Sequence, residues 1–389
     1  MKQSYTNSQL KNVLIIAGGH FAHDIYSSFL APFLPLIIDK FDLTMTIAGL
    51  LTFFFRLPSF FSPLFGILSD RIDMRHLAII APALTAVMMS LLGAVPYYSL
   101  VVILLFIAGI SASLFHVLGP VMIARVSSSN LGRGMGFWMV GGEFSRTVGP
   151  LLAVWAVSLW TFEGSYPVMI VGIAASAFLY IYMKDIDLSH GKYYTGDLKK
   201  TWLSIARVML PLSGIMISVS LMNAALVIFL PTYMVSSGKS LWFGGTCLAV
   251  LELSGTLGIY TGGTFSDRIG RHTVLLAAIP MASLLMICFV HAPGWLIFPL
   301  LILLGFVAFA VTPVELALVQ DHAKYHRGTA NGLYMGISFF ISAGATVAFG
   351  GLADVIGIKN AYIVSAILGF TGIPLILLLP RRENNVGKT

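Results

Sequence analysis

Charge is scarce in this chain. Asp, Glu, Lys and Arg make up 10% of its 389 residues, against about 25% in a soluble domain. That shortage excludes an ordinary water-soluble fold. Cysteine is nearly missing too. Cys247 and Cys288 both sit inside apolar runs, so they supply neither a disulfide framework nor a metal-ligand spacing. The net charge of +7 is carried without any Lys/Arg run interleaved with aromatics, which excludes a nucleic-acid partner. Also missing are a paired zinc motif, a Gly-x-Ser-x-Gly elbow and a phosphate-binding glycine loop with Lys. The chain is therefore not read as an enzyme, and no cofactor or resident metal is expected.

What fills the space is apolar. Hydrophobic residues account for 57% of the chain, and the mean hydropathy is +0.90. A membrane-crossing helix needs about 20 predominantly apolar residues. Runs bounded by charge, Gly or Pro predict twelve spans, at 12-38, 44-69, 77-95, 98-124, 134-160 and 165-183, then 207-236, 241-265, 273-292, 294-319, 328-353 and 359-380. The first run resembles a signal peptide, but it is too long, lacks a clear cleavage site, and carries His20, His23 and Asp24. It is read as a retained span.

Basic residues alternate between the loops. Apart from Arg56 and Arg146, which fall inside spans, every Lys and Arg except Lys40, Lys239 and Lys359 lies on one side. Positive charge is retained on the cytoplasmic face, so both termini are expected there. A polar stretch at 184-206 divides the chain into six-span bundles at 1-183 and 207-389. Its end, Leu198 to Val208, fits either a short helix lying on the leaflet or a solvated linker.

One loop occurs twice. Gly66-Ile-Leu-Ser-Asp70-Arg71-Ile-Asp-Met-Arg75-His76 follows the second span, and Gly263-Thr-Phe-Ser-Asp267-Arg268-Ile-Gly-Arg271-His272 follows the eighth. Repetition at the same place in each half marks a duplicated transporter architecture. The pattern resembles the loop signature of the major facilitator superfamily. That resemblance implies a twelve-helix fold in two pseudo-symmetric halves, with Gly66, Asp70, Arg71, Gly263, Asp267, Arg268 and Arg271 as gating-loop residues. The first copy departs at Asp73-Met74, where the second has Gly270.

A narrower likeness rests on Gly19-His20-Phe21-Ala22-His23-Asp24-Ile25-Tyr26 with Pro32-Phe-Leu-Pro35, on Phe115-His116, and on Val140-Gly141-Gly142-Glu143-Phe144 through Gly149-Pro150. Together these are similar to fosmidomycin-resistance-type exporters. The resemblance implies proton-coupled export of small polar or amphipathic compounds from the inner membrane of a bacterial-type cell. After His116 the chain reads Val117-Leu118-Gly119-Pro120, where the resemblance implies an acidic and hydroxylated stretch. The glycines of the fifth span also partly resemble an antiporter signature, although a closely packed helix explains them as well.

Six charges lie within spans: Asp24, Arg56, Glu143, Arg146, Glu252 and Glu315. Each costs at least about 2.5 kcal/mol at the bilayer centre unless paired or hydrated, so these are the functional candidates. Asp24, His116 and Glu143 are the expected proton-coupling residues. His20, His23, Tyr26, Arg56, Arg146, Asn223, Tyr233, Glu252 and Glu315 are the expected substrate contacts. A structural Asp24–Arg56 pair and a self-neutralising Glu143–Arg146 pair compete with these roles. The partners expected are a small-molecule substrate, protons and the bilayer, for a protein acting as a monomer. Two other functions stay open: a divalent-metal exporter built on His20, His23, Asp24 and His116, and an organic-anion symporter working in the uptake direction.

Overall fold

A computed structural model of the chain describes residues 7–69, 74–127, 131–183, 198–323 and 327–380. Among these residues every regular element is helical. In lipid this follows from hydrogen bonding, because a helix satisfies its backbone groups within one segment. The first half comprises α1 (Asn7–Ser27), α2 (Leu30–Phe41), α3 (Met45–Arg56), α4 (Ser62–Ser69), α5 (Arg75–Ser90), α6 (Tyr98–Ser127), α7 (Leu131–Gly164) and α8 (Met169–Met183). The second comprises α9 (Leu198–Val227), α10 (Leu230–Ser236), α11 (Leu241–Ile269), α12 (Arg271–His291), α13 (Ile297–Phe309), α14 (Val311–His322), α15 (Arg327–Ile356), α16 (Ile358–Gly369) and α17 (Gly372–Leu377).

Nine helical stretches of the described residues are long and apolar enough to cross a bilayer. The remaining expected spans correspond to α3 with α4, to α5, and to α7. Each departs from a long, uniformly apolar helix. A 3-10 turn containing Pro58 parts α3 from α4, α5 has 16 residues, and α7 carries Arg133, Glu143, Arg146 and Glu163. The protein is an all-α, multi-pass membrane protein.

Several expected features take a different form. Leu198 to Val208 is the start of the continuous α9 and not a separate surface helix, while the rest of the expected linker, 184–197, lies outside the described residues. Of the duplicated loop's first copy, Gly66 lies in α4, while Asp70 and Arg71 fall outside the described residues. In the second copy Gly270 stands at φ 96°, the left-handed region that favours glycine. There Arg271 contacts Asp267 at 2.7 Å and Asp321 at 3.4 Å and donates to the Ser266 hydroxyl. It ties the ends of α11, α12 and α14. Gly263 and Arg268 lie beside this clasp in α11.

Glycines set the closest approaches. A Cβ at Gly258 would stand 2.1 Å from the Phe306 carbonyl oxygen, and one at Gly262 would stand 2.5 Å from that of Ala310. The Gly258-x-x-x-Gly262 face thus seats α13, as expected of small residues in membrane helices. Gly332 and Gly336, at the same spacing in α15, meet no described atom within 4 Å and do not pack in this way.

The described residues cluster into two compact units. One lies within Met1–Tyr193, Ala224–Leu253 and Ala343–Lys359; the other lies within Tyr194–Asn223, Ser254–Ser342 and Asn360–Thr389. In the first, Asp354 near the end of α15 accepts from Met45 N at 2.7 Å, Thr46 N at 2.9 Å and the Thr46 hydroxyl at 2.5 Å. It caps the start of α3, satisfying amides that have no partner inside their own helix. Replacing Asp354 by Ala is expected to cost about 1 kcal/mol, the usual cost of losing a cap. Thermal unfolding in detergent checks this, with Asp354→Asn losing less.

Candidate functional site

The site grows from α1, whose helical spacing puts His20 and Asp24 on one face. His20 Nε2 stands 3.1 Å from Asp24 Oδ2. His23 Nδ1 stands 2.7 Å from Asp24 Oδ1, and His116, brought in by α6, places its Nε2 3.3 Å from the same oxygen. The carboxylate is therefore ringed by three imidazoles. Asp24 contacts the histidines, while Arg56 has Arg146 and Glu252 as electrostatic neighbours. His20, His23 and Asp24 are buried, whereas the His116 side chain is 47% exposed and gives the cluster an open side.

The outer hydrogen bonds decide where the protons sit. His20 Nδ1 lies 2.8 Å from the Trp138 carbonyl oxygen, which can only accept, so Nδ1 carries a hydrogen. In the neutral ring Nε2 is then a lone pair. That atom is buried and makes no hydrogen bond, although the Asp24 carboxylate stands beside it.

His23 is fixed by a longer chain. The Ser111 hydroxyl donates to the Ala81 carbonyl at 3.0 Å, so the Thr85 hydroxyl must be the donor in its 2.8 Å contact with Ser111. Thr85 can then only accept from His23 Nε2, 3.0 Å away. With its hydrogen on Nε2, a neutral His23 would turn a lone pair toward Asp24 Oδ1 at 2.7 Å. Two acceptors cannot share that distance, so one exchangeable proton belongs to the His23–Asp24 contact whichever atom holds it.

The rings are clamped as well as bonded. His20 stacks on Trp138 with centroids 3.7 Å apart, and His23 stacks on Phe115 at 4.5 Å. Gly142 makes this possible, since a Cβ there would stand 2.4 Å from His20 Cε1. Gly141 and Gly149 seat α7 against the backbone of α1 in the same way, each with a hypothetical Cβ 2.5 Å from a carbonyl oxygen, of Ala17 and Ile25 respectively. The glycines that resemble an antiporter signature thus have a packing role.

A second group of charges lies in the same unit. Arg146 pairs with Glu143 one turn away on α7, and its Nε lies 3.9 Å from Glu252 on α11. Arg56 interacts electrostatically with both Arg146 and Glu252. Glu143, expected beside the proton site, is thus tied to Arg146. Arg146 remains 40% exposed and lies within electrostatic range of Asp24 and His116.

Other expected contacts fall elsewhere. Tyr26 is buried, its hydroxyl donating to the Val168 carbonyl at 2.6 Å and accepting from Gly172 N at 3.1 Å, so it braces α8. Tyr233 is buried in α10. Asn223 and Glu315 belong to the other unit and line a cavity there. The sequence reading missed Trp138, Thr85 and Ser111, whose roles run through backbone carbonyls and hydroxyls distant in sequence.

His20, Asp24 and His116 offer ligand atoms all within 4.8 Å of one another. Two imidazoles and a carboxylate could hold a transition metal as well as protons.

The sequence profile of the Major Facilitator Superfamily matches residues 16–347. The MFS-type transporter YfnC of Bacillus subtilis (strain 168) is 26% identical over 387 residues, covering 95% of this chain and 92% of its own. The Fosmidomycin resistance protein of Escherichia coli (strain K12) is 24% identical over 388 residues, covering 95% and 93%. Among solved structures, a bacterial homologue of the human lysosomal transporter Spinster superposes with TM-score 0.80 at 13% identity, covering 97% of both chains. A D-xylose-proton symporter gives 0.75 at 15% identity, covering 96% of this chain and 98% of its own. With its profile match running through most of the chain, the protein belongs to the major facilitator superfamily of membrane transporters.

Proposed function

We propose that this transporter is a proton-coupled antiporter that exports small polar or amphipathic organic compounds, with Asp24 and its three histidines as the proton site. The observation carrying this reading is the His23–Asp24 contact. His23 Nε2 is engaged by Thr85, so the 2.7 Å contact to Asp24 needs a proton of its own. Asp24 also touches the half-exposed His116, which offers the proton a route to water.

Coupling then follows from hydrogen-bond chemistry. Once the proton leaves, two acceptors face each other, and only a donor or cationic group can relieve them. A substrate donor placed there would occupy the position of the proton, so the two ligands compete, as antiport requires. Arg146 supplies a planar guanidinium for an anionic group on the same substrate. The resistance named for the Escherichia coli relative supports export of such a compound.

In this cycle the two halves, 1-183 and 207-389, rock about a midplane site in alternating access. The Asp354 cap on α3 is released when the halves part, and the Arg271 clasp holds the cytoplasmic loops. In this reading both termini lie in the cytoplasm, which the one-sided distribution of Lys and Arg supports. A divalent cation as cargo is the second reading, favoured by the 4.8 Å spread of the His20, Asp24 and His116 ligand atoms.

Purified protein in liposomes loaded with a pH-sensitive dye tests the first reading, with fosmidomycin as probe. The parent is expected to move protons when fosmidomycin is added, and Asp24→Asn to fold but show none of this flux. Parental flux in Asp24→Asn overturns the assignment, and Co²⁺ flux without any organic probe would transfer it to the second reading. Thr85→Val strands the His23 Nε2 hydrogen in a buried site, at a cost of about 1–3 kcal/mol. Melting curves in detergent should register this loss, with Thr85→Ser near the parent. Arg146→Lys is expected to weaken fosmidomycin binding on the order of tenfold, about 1.4 kcal/mol, with unchanged yield. Equal loss of yield and binding would leave Arg146 a structural ion-pair partner.

A further inference from the structure

A second polar centre lies in the other unit. A cavity of about 110 Å³ is walled by α9, α12, α13, α14 and α15, and its polar lining includes Ser220, Asn223, Thr312, Glu315, Tyr334 and Ser338. Among the described residues no basic side chain lines it. Drug-sized ligands occupy roughly 300–1,000 Å³, so this space suits an ion with a few waters.

Two of its hydroxyls have their hydrogens engaged. The Tyr334 hydroxyl donates to Glu315 Oε2 at 3.2 Å, and the Ser220 hydroxyl donates to the Ile217 carbonyl at 2.8 Å. Both oxygens are left as acceptors. Glu315 is 6% exposed, and its Oε1 is buried without a hydrogen-bond partner. A buried carboxylate beside acceptors calls for a cation or for a proton of its own.

The chain's internal repeat frames the comparison with the first site. α1 breaks before Phe29-Leu30, and α9 breaks at the matching Phe229-Leu230. That alignment places Ser220 and Asn223 where the first half has His20 and His23. Likewise Gly136-Phe137-Trp138-Met139 matches Gly332-Leu333-Tyr334-Met335, so Tyr334 stands for Trp138. The same place in the repeat thus holds imidazole nitrogens in one half and only oxygens or an amide in the other. Oxygen donors select hard cations, and a single carboxylate matches a single positive charge.

We propose that this cavity binds a small monovalent cation of the alkali class, with Glu315 as its charged ligand and Ser220, Asn223 and Tyr334 as neutral oxygen ligands. The site is independent of proton exchange at Asp24. Full-length protein in detergent is titrated with NaCl against choline chloride at constant pH and ionic strength, reading the thermal unfolding midpoint. Na⁺ is expected to raise the midpoint saturably while choline leaves it unchanged. Glu315→Gln is expected to weaken the apparent Na⁺ affinity at least about tenfold, and Asp24→Asn to keep it. Ser220→Ala and Tyr334→Phe, each with a smaller loss in the same direction, decide the matter if Glu315→Gln does not fold. Equal responses to Na⁺ and choline overturn the proposal, as does a full Na⁺ response in all three cavity variants. Stabilisation by methylammonium but not by Na⁺ would also overturn it, assigning the cavity to an organic amine.

Discussion

Hydrogen bonding without water is the constraint on which this structure depends. In the hydrocarbon layer a polar atom that lacks a protein partner has no solvent to fall back on. Around Asp24 the outer partners are backbone carbonyls and a hydroxyl chain, and each takes a hydrogen from the far side of an imidazole. The near sides are thereby left facing a carboxylate. A buried Asp costs at least about 2.5 kcal/mol at the bilayer centre when uncompensated. Three imidazoles in contact with one carboxylate supply compensation only while hydrogens lie between them.

The helix packing follows from that arrangement. For the Trp138 carbonyl to reach His20, α7 must press against α1, and the glycines at 141, 142 and 149 remove the side chains that would hold the two apart. The aromatic rings of Trp138 and Phe115 then close over the imidazoles and fix their planes. Larger residues at these glycines would disturb the hydrogen bonds before they disturbed the fold, because the bond from His20 to the α7 backbone spans the very gap they would widen. The same economy appears at Gly258 and Gly262, where the approach of α13 is set with no polar group involved.

Much of this was legible in the sequence. Scarce charge and long apolar runs point to the membrane class, the repeated loop to the duplication, and the His20 to Asp24 spacing to one face of the site. What could not be read depends on approaches between residues distant along the chain. His116 reaches Asp24 by the packing of α6 on α1, and Thr85 and Ser111 act through a chain that ends on a main-chain carbonyl. Composition alone does not report such acceptors. Nor does the sequence report the partners of Tyr26, whose hydroxyl is held by backbone groups at Val168 and Gly172. Depth alone pairs Arg56 with Asp24, whereas the fold gives it Arg146 and Glu252 as electrostatic neighbours.

The two kinds of charged contact in the first unit differ in a way that suits a moving protein. Asp354 is exposed, and backbone amides and a hydroxyl at the start of α3 hold it. Water can replace each of those donors, so breaking this tie leaves no charge stranded in lipid. The Asp24 cluster has no such freedom, because its inner atoms are buried and its outer hydrogens are already engaged. Under the proposed cycle, opening at Asp354 is the low-cost step and a change of proton occupancy at Asp24 is the high-cost one. Coupling between transport and protons then needs no strain in the backbone. It needs only that the costlier site be empty of its proton when a substrate donor arrives to take the same place.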